Sequence, residues 1–154
     1  LTTDGVVNAI IQNGTSLYIG GSFTAVNSFS APKVTALNLT TGDPVMAYAA
    51  GFVGGTVSAS VVAGSSIYFG GSFTSYKGMP AKRLAKVDLV TGALDTVFTK
   101  TFGLNSWVQA LAVSGTSLYV GGFFTTYRND TDTGTVPANY LARLLSRNCH
   151  EYRG

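Results

Sequence analysis

The chemistry open to this chain rests on few side chains: one His, one Cys, seven acids and ten bases among 154 residues. Nucleophilic catalysis needs a nucleophile, a base within reach and a third group to orient the base. The sole imidazole, His150, directly follows the sole thiol, Cys149. Neighbours on a strand point to opposite faces, so these two do not make a dyad. Glycoside hydrolysis needs two carboxyls several ångströms apart. Asp88 and Asp95 recur as Asn38 and Asp43, which reads as a turn pattern rather than a catalytic pair. Asn129-Asp130-Thr131-Asp132-Thr133-Gly134 has the outline of a calcium loop, but Leu141 stands where the closing Glu is required. No phosphate-binding glycine loop follows any strand-like segment. The expectation is a protein that is not an enzyme and carries no metal and no cofactor.

Composition narrows the class further. A single Cys leaves no internal disulfide framework and no paired-cysteine metal knuckle. Charged residues make up 11% of the chain, well below the ~25% usual for soluble domains, which argues against disorder and against a charge-laced helical protein. The net charge of +3 is mild, and its densest stretch is Lys77, Lys82, Arg83 and Lys86. A phosphate-tracking face needs more bases than that, about 6–10, so these four read as a solvated face and no nucleic-acid partner is expected. No apolar run approaches the ~20 residues of a membrane helix. Asn13, Asn38 and Asn129 open formal glycosylation sequons, about as many as a chain so rich in Ser and Thr yields by chance.

Internal repetition organises the chain. Gly20-Gly21-Ser22-Phe23-Thr24 recurs as Gly70-Gly71-Ser72-Phe73-Thr74 and as Gly121-Gly122-Phe123-Phe124-Thr125, at spacings of 50 and 51. Val7-x-Ala9, Val57-x-Ala59 and Val108-x-Ala110 hold a fixed offset upstream, and Leu39-Thr40-Thr41-Gly42 matches Leu89-Val90-Thr91-Gly92 downstream. Within a unit, Val57, Ala59 and Val61 alternate with serines at the period of a strand. Gly14, Gly64 and Gly115 supply hairpin turns. The apolar segments 17–19, 67–69 and 118–120 read as strands covered on both faces. The glycine pairs then admit a close backbone approach or mark a bulge. No segment keeps a helical period for ten residues, so no helix is expected. The chain is read as one all-β domain over 1–154, made of three ~50-residue antiparallel units at about 7–56, 57–107 and 108–145, with a tail at 146–154. Units of this length lie in the range of propeller blades.

Leu17-Tyr18-Ile19-Gly20-Gly21-Ser22-Phe23-Thr24, together with the run from Leu84 to Phe98, resembles the delta-60 repeat, a propeller-like β repeat of bacterial surface and secreted proteins. A short set of such repeats is also similar to the tip of the trimeric adhesive fibres of predatory bacteria. The resemblance implies an extracellular, cell-surface location and contributes no catalytic residues. It also implies a homo-oligomer, a trimer in preference to a dimer, that completes the open edges of three units.

Recognition is sought where the third unit departs from its siblings. Trp107 replaces Thr56, Phe123 replaces Ser22 and Ser72, and six extra residues lie between Tyr127 and Leu141. That insertion sets Arg128, Asn129, Asp130 and Asp132 beside Tyr127 and Tyr140. Aromatic faces stack on sugar rings while amides, carboxylates and guanidinium groups bond hydroxyls. Tyr127, Arg128, Asn129, Asp130, Asp132, Tyr140 and Trp107 are therefore the candidate contacts for a cell-surface glycan or surface protein of another cell. The alternatives are a purely structural spacer, a fragment of a longer array, or a hydrolase with unpaired acids. The ends read as an upstream truncation at Leu1 and a capping tail from Ser146.

Overall fold

Three hairpins of one design carry the fold, and their glycines explain the design. In a computed structural model that describes residues 1–48, 51–128 and 135–145, Gly14, Gly64 and Gly115 take φ of +58°, +58° and +57°. Each is the first residue of a two-residue loop, the position where a type II′ turn takes glycine. The first sheet joins β1 (Val7–Asn13), β2 (Ser16–Gly21) and β3 (Val34–Asn38), extended by the short strand Pro44–Val45. The second joins β4 (Val57–Ala63), β5 (Ser66–Gly71) and β6 (Leu84–Asp88). The third joins β7 (Val108–Ser114), β8 (Ser117–Gly122) and β9 (Leu141–Leu145). Every pairing is antiparallel, with β2, β5 and β8 central. The all-β expectation holds at this level.

The glycine pair does two separate jobs. Val7 faces Gly21 and Ala9 faces Gly20, so Asn8 bulges out of register; Val57/Ala59 and Val108/Ala110 repeat this. At the bulge a Cβ on Gly21, Gly71 or Gly122 would stand 2.0–2.1 Å from the carbonyl oxygen of Val6, Thr56 or Trp107. No side chain fits there. The Phe that follows, Phe23, Phe73 or Phe124, is fully buried. Its carbonyl accepts from the N–H of Lys33, Arg83 or Tyr140 respectively, and all three donors sit in the left-handed region at φ of 67–68°. Side chains rarely adopt this conformation, and its recurrence locates the six-residue insertion upstream of Tyr140.

The sheets pack face to face. One core lies between the first and second, where Tyr18 and Ala36 meet Ile67, Phe69 and Val87 around Tyr48 and Phe52. A second lies between the second and third, where Tyr68 and Leu84 meet Leu118, Val120 and Phe124, and a third, smaller cluster of Ile19, Phe23, Val26, Ala31 and Leu37 lies on the other face of the first sheet. The second sheet is thus covered on both faces, as read from sequence, but the third is not: Leu118 and Val120 are buried while Tyr119 is 36% exposed.

Two further expectations need correcting. A helix α1 (Thr96–Thr101) does form. Six residues are too few to show a helical period, and the helix is held by its cap: Asp95 accepts from the Phe98 N–H at 2.9 Å. Asp95 also bridges Lys86 at 3.0 Å, so it is a capping residue and not a turn counterpart of Asp43. Asp88 does match Asn38: each side-chain oxygen accepts from the N–H groups two and three residues on. The loop following each glycine pair is closed by a residue from upstream of the leading strand. Asp4 accepts from the N–H groups of Thr24 and Ala25 at 2.7 and 2.9 Å and from the Thr24 hydroxyl; Asn105 Oδ1 accepts from the N–H groups of Thr125 and Thr126 while its Nδ2 donates to the Thr125 hydroxyl, and Gly54 stands at the matching position before β4.

The Thr24 hydroxyl, with the Ala25 and Thr24 N–H groups, lowers the Asp4 carboxyl to about 2. A carboxylate depressed in the folded state adds stability above its unfolded value near 4, and that stability is lost as pH falls through about 2. Asp4→Asn keeps the acceptor and removes the titration. The Tm advantage of the wild type over Asp4→Asn is therefore expected to be largest at pH 5 and to shrink steadily by pH 2 in thermal unfolding scans.

Candidate functional site

The bases singled out in sequence are mostly occupied by the protein itself. Lys77 donates to the carbonyls of Ala47 and Gly92 and lies 5.4 Å from the Tyr76 ring centre. Burial pushes its ammonium pKa down. Arg83 donates to the Leu104 carbonyl at 2.8 Å, and Lys86 pairs with Asp95. The reading of these four as a solvated face is therefore wrong for three of them, which hold loops together. Lys82 differs: it is exposed and lines a cleft.

This cleft, of about 640 Å³, opens between the Ser75–Pro80 hairpin, α1 and the small sheet that pairs Gly103–Leu104 with Thr126–Arg128, within the ~300–1,000 Å³ of small-molecule sites. Met79 and Pro80 enter from a two-residue strand paired with Ser75–Tyr76. Leu94, Thr96 and Thr99 come from the segment that enters α1 and from α1 itself. Gly103 and Arg128 face each other across the pairing of Gly103–Leu104 with Thr126–Arg128. The described lining therefore offers two cations, two hydroxyls and an apolar wall of Met79, Pro80 and Leu94, and it contains no carboxylate. Such a lining can hold a ligand with an anionic group and hydroxyls against a hydrophobic edge. Among the described residues no cluster of His, Cys, Asp or Glu could hold a metal.

Of the seven sequence candidates, Arg128 alone lines this cleft among the described residues. Tyr127 is 2% exposed and belongs to the core beside Phe102, 6.5 Å between ring centres. Strand alternation points it inward as Arg128 points outward, so its ring cannot stack on a sugar. Trp107 and Tyr140 are both exposed, at 55% and 62%. They flank a different spot: the Phe123 N–H donates to the Trp107 carbonyl and the Gly122 N–H to the Tyr140 carbonyl. Asn129, Asp130 and Asp132 lie outside the described residues, as do Cys149 and His150. Lys82 was in view only as part of a basic stretch. Thr96 and Thr99 were missed with their helix, although Asp95 three residues before Phe98 was the available signal.

The site sits on an all-β scaffold of antiparallel sheets, and comparison with other proteins reaches the fold and no further. No family model and no curated protein matches the chain. Among solved structures it is similar to the computationally designed Ika8 protein, with a TM-score of 0.52 and 14% identity over 79% of this chain and 31% of that one. The computationally designed Ika4 protein aligns with a TM-score of 0.40 and 12% identity over 94% of this chain and 93% of that one. The chain spans about a third of the length of Ika8.

Proposed function

We propose that this chain is an extracellular recognition module that binds an acidic cell-surface glycan in the cleft between Lys82 and Arg128. The lining of that cleft carries the reading: two cations and two threonine hydroxyls beside an apolar wall, with no carboxylate among the described residues. A uronate- or sialate-like sugar supplies a carboxylate for the cations, hydroxyls for Thr96 and Thr99, and an apolar ring edge for Met79 and Leu94. The repeated sequence phrases and their likeness to delta-60 repeats of surface proteins support the location. We take the three sheets to be consecutive propeller-like units that work as a homo-oligomer, a trimer in preference to a dimer.

A glycan array of matched acidic and neutral sugars tests the binding. Acidic glycans are expected to be retained, and Lys82→Ala or Arg128→Ala to weaken binding about tenfold or more, since a lost charge-assisted hydrogen bond costs about 1.5–3 kcal/mol. Tyr127→Ala is expected to lose stability instead. Binding of neutral sugars alone overturns the ligand class, and a blank array favours a spacer.

A further inference from the structure

Among the described residues the Tyr119 face of the third sheet is uncovered, and on the matching face of the first sheet Ile10 is exposed and Val7 and Leu17 are half-buried beside the buried Ile19 and Leu37. Inside the chain, neighbouring sheets meet through a valine set against a glycine. A Cβ added to Gly20 would stand 2.5 Å from Cγ1 of Val57, and one added to Gly70 would stand 2.4 Å from Cγ1 of Val108. Gly121 holds the same place on β8, and a Cβ there would find no atom nearer than 3.8 Å. At the opposite end Val7, the counterpart of Val57 and Val108, is half-buried whereas those two are fully buried.

A second pair of features repeats the pattern. The Tyr18 hydroxyl crosses from the first sheet to the second and donates to the Leu89 carbonyl at 3.1 Å, beside the Tyr48 hydroxyl, which reaches the same carbonyl at 3.2 Å. Fifty residues earlier, the counterpart Leu39 borders a cleft of about 360 Å³ that Leu17, Leu37 and Asn38 also line. Tyr119, the counterpart of Tyr18 on the third sheet, is 36% exposed against 5% for Tyr18.

We infer that the chain docks head to tail on a second copy of itself, the Tyr119 face of β7–β8–β9 closing over the partly covered face of β1–β2–β3 that carries Val7, Ile10 and Leu17. Val7 of the second copy seats on Gly121, and Tyr119 enters the cleft beside Leu39 of the second copy, its hydroxyl donating to that carbonyl. A second copy is the occupant because one molecule carries both halves of a joint that its own sheets already make twice. Apolar side chains are exposed on both faces, Ile10 on β1 and Leu141 on β9 at 64% each, beside the exposed Gln12 and Arg143. The contact is heterologous, so it closes into a ring or propagates as a fibre. It gives the self-assembly proposed above its interface and is independent of the ligand.

The joint is tested by light scattering on purified chain at tens of micromolar. The wild type is expected at a multiple of the 16.0 kDa chain mass. Gly121→Leu fills the socket at a position with free space and no left-handed backbone, so it is expected at single-chain mass with an unchanged circular dichroism spectrum. Val7→Asp is expected to do the same from the other side. Each variant keeps one intact face, so mixing the two is expected to form a complex of two chains that stops there. A Gly121→Leu variant that assembles like the wild type overturns this interface while leaving self-assembly in place. A mixture that stays at single-chain mass overturns the head-to-tail geometry, and a monomeric wild type overturns interface and assembly together.

Discussion

Replacing Phe52 with alanine is expected to lower the free energy of unfolding by about 3–5 kcal/mol, the range for deleting a buried phenyl ring. Phe52 is 1% exposed and lies where the loops of the first and second sheets meet. Its ring centre is 4.1 Å from that of Phe73, 4.6 Å from Tyr76 and 5.4 Å from Phe69. Its own N–H donates to the Pro32 carbonyl, and Tyr76 opposite it is held through its hydroxyl on the Gly92 carbonyl. Rings pinned in this way have little freedom to collapse into the space left behind, which places the loss toward the upper end. Denaturant unfolding of the purified variant measures it. A loss below about 1 kcal/mol would show that this ring cluster is not the centre of the first core.

The second large effect separates two glycines that the sequence treats alike. Gly70→Ala is expected to destabilise by about 1–3 kcal/mol, the cost of forcing an extra methyl into a packed interface. The new Cβ would sit 2.4 Å from the Val108 Cγ1, and valine, stiff about χ1, cannot turn aside cheaply. Gly121→Ala meets only ordinary contacts, at 3.8 Å and beyond, and is expected to lie within about 0.5 kcal/mol of the wild type when unfolding is followed on single, unassembled chains. Equal losses at the two positions would contradict the packing of sheet on sheet through these glycines.

The repeat phrase made most of the frame legible, because in this chain a short motif fixes backbone events that recur. The glycine before each tyrosine strand marks the turn, the glycine pair marks the bulge, and the phenylalanine after it marks the core. What the phrase could not carry was direction and cover. Whether Tyr119 is buried depends on a neighbouring sheet that lies outside the phrase, and its apolar neighbours Leu118 and Val120 are of the same kind as those of Tyr18 and Tyr68. The insertion drew attention to the loop region after Phe124, where Arg128 lines the cleft. It also swept in Tyr127, whose place in the core follows from alternation against Leu104 and Val136. The cleft itself was hidden because its walls come from Met79, Thr96 and Arg128, which are distant in sequence and joined only by the packing of one loop on the next.

The face-to-face packing also sets a schedule for synthesis. Each main sheet pairs strands close in sequence, which favours rapid local folding. The tyrosine side of each sheet stays open, however, until its successor exists. Tyr18 finds its acceptor only when Leu89 has been made. At ~5–20 residues per second, translating the next unit leaves an apolar face bare at the growing end for roughly 3–10 s. A nascent chain therefore always presents one such face to a ribosome-bound chaperone, and passes it forward from unit to unit until translation ends.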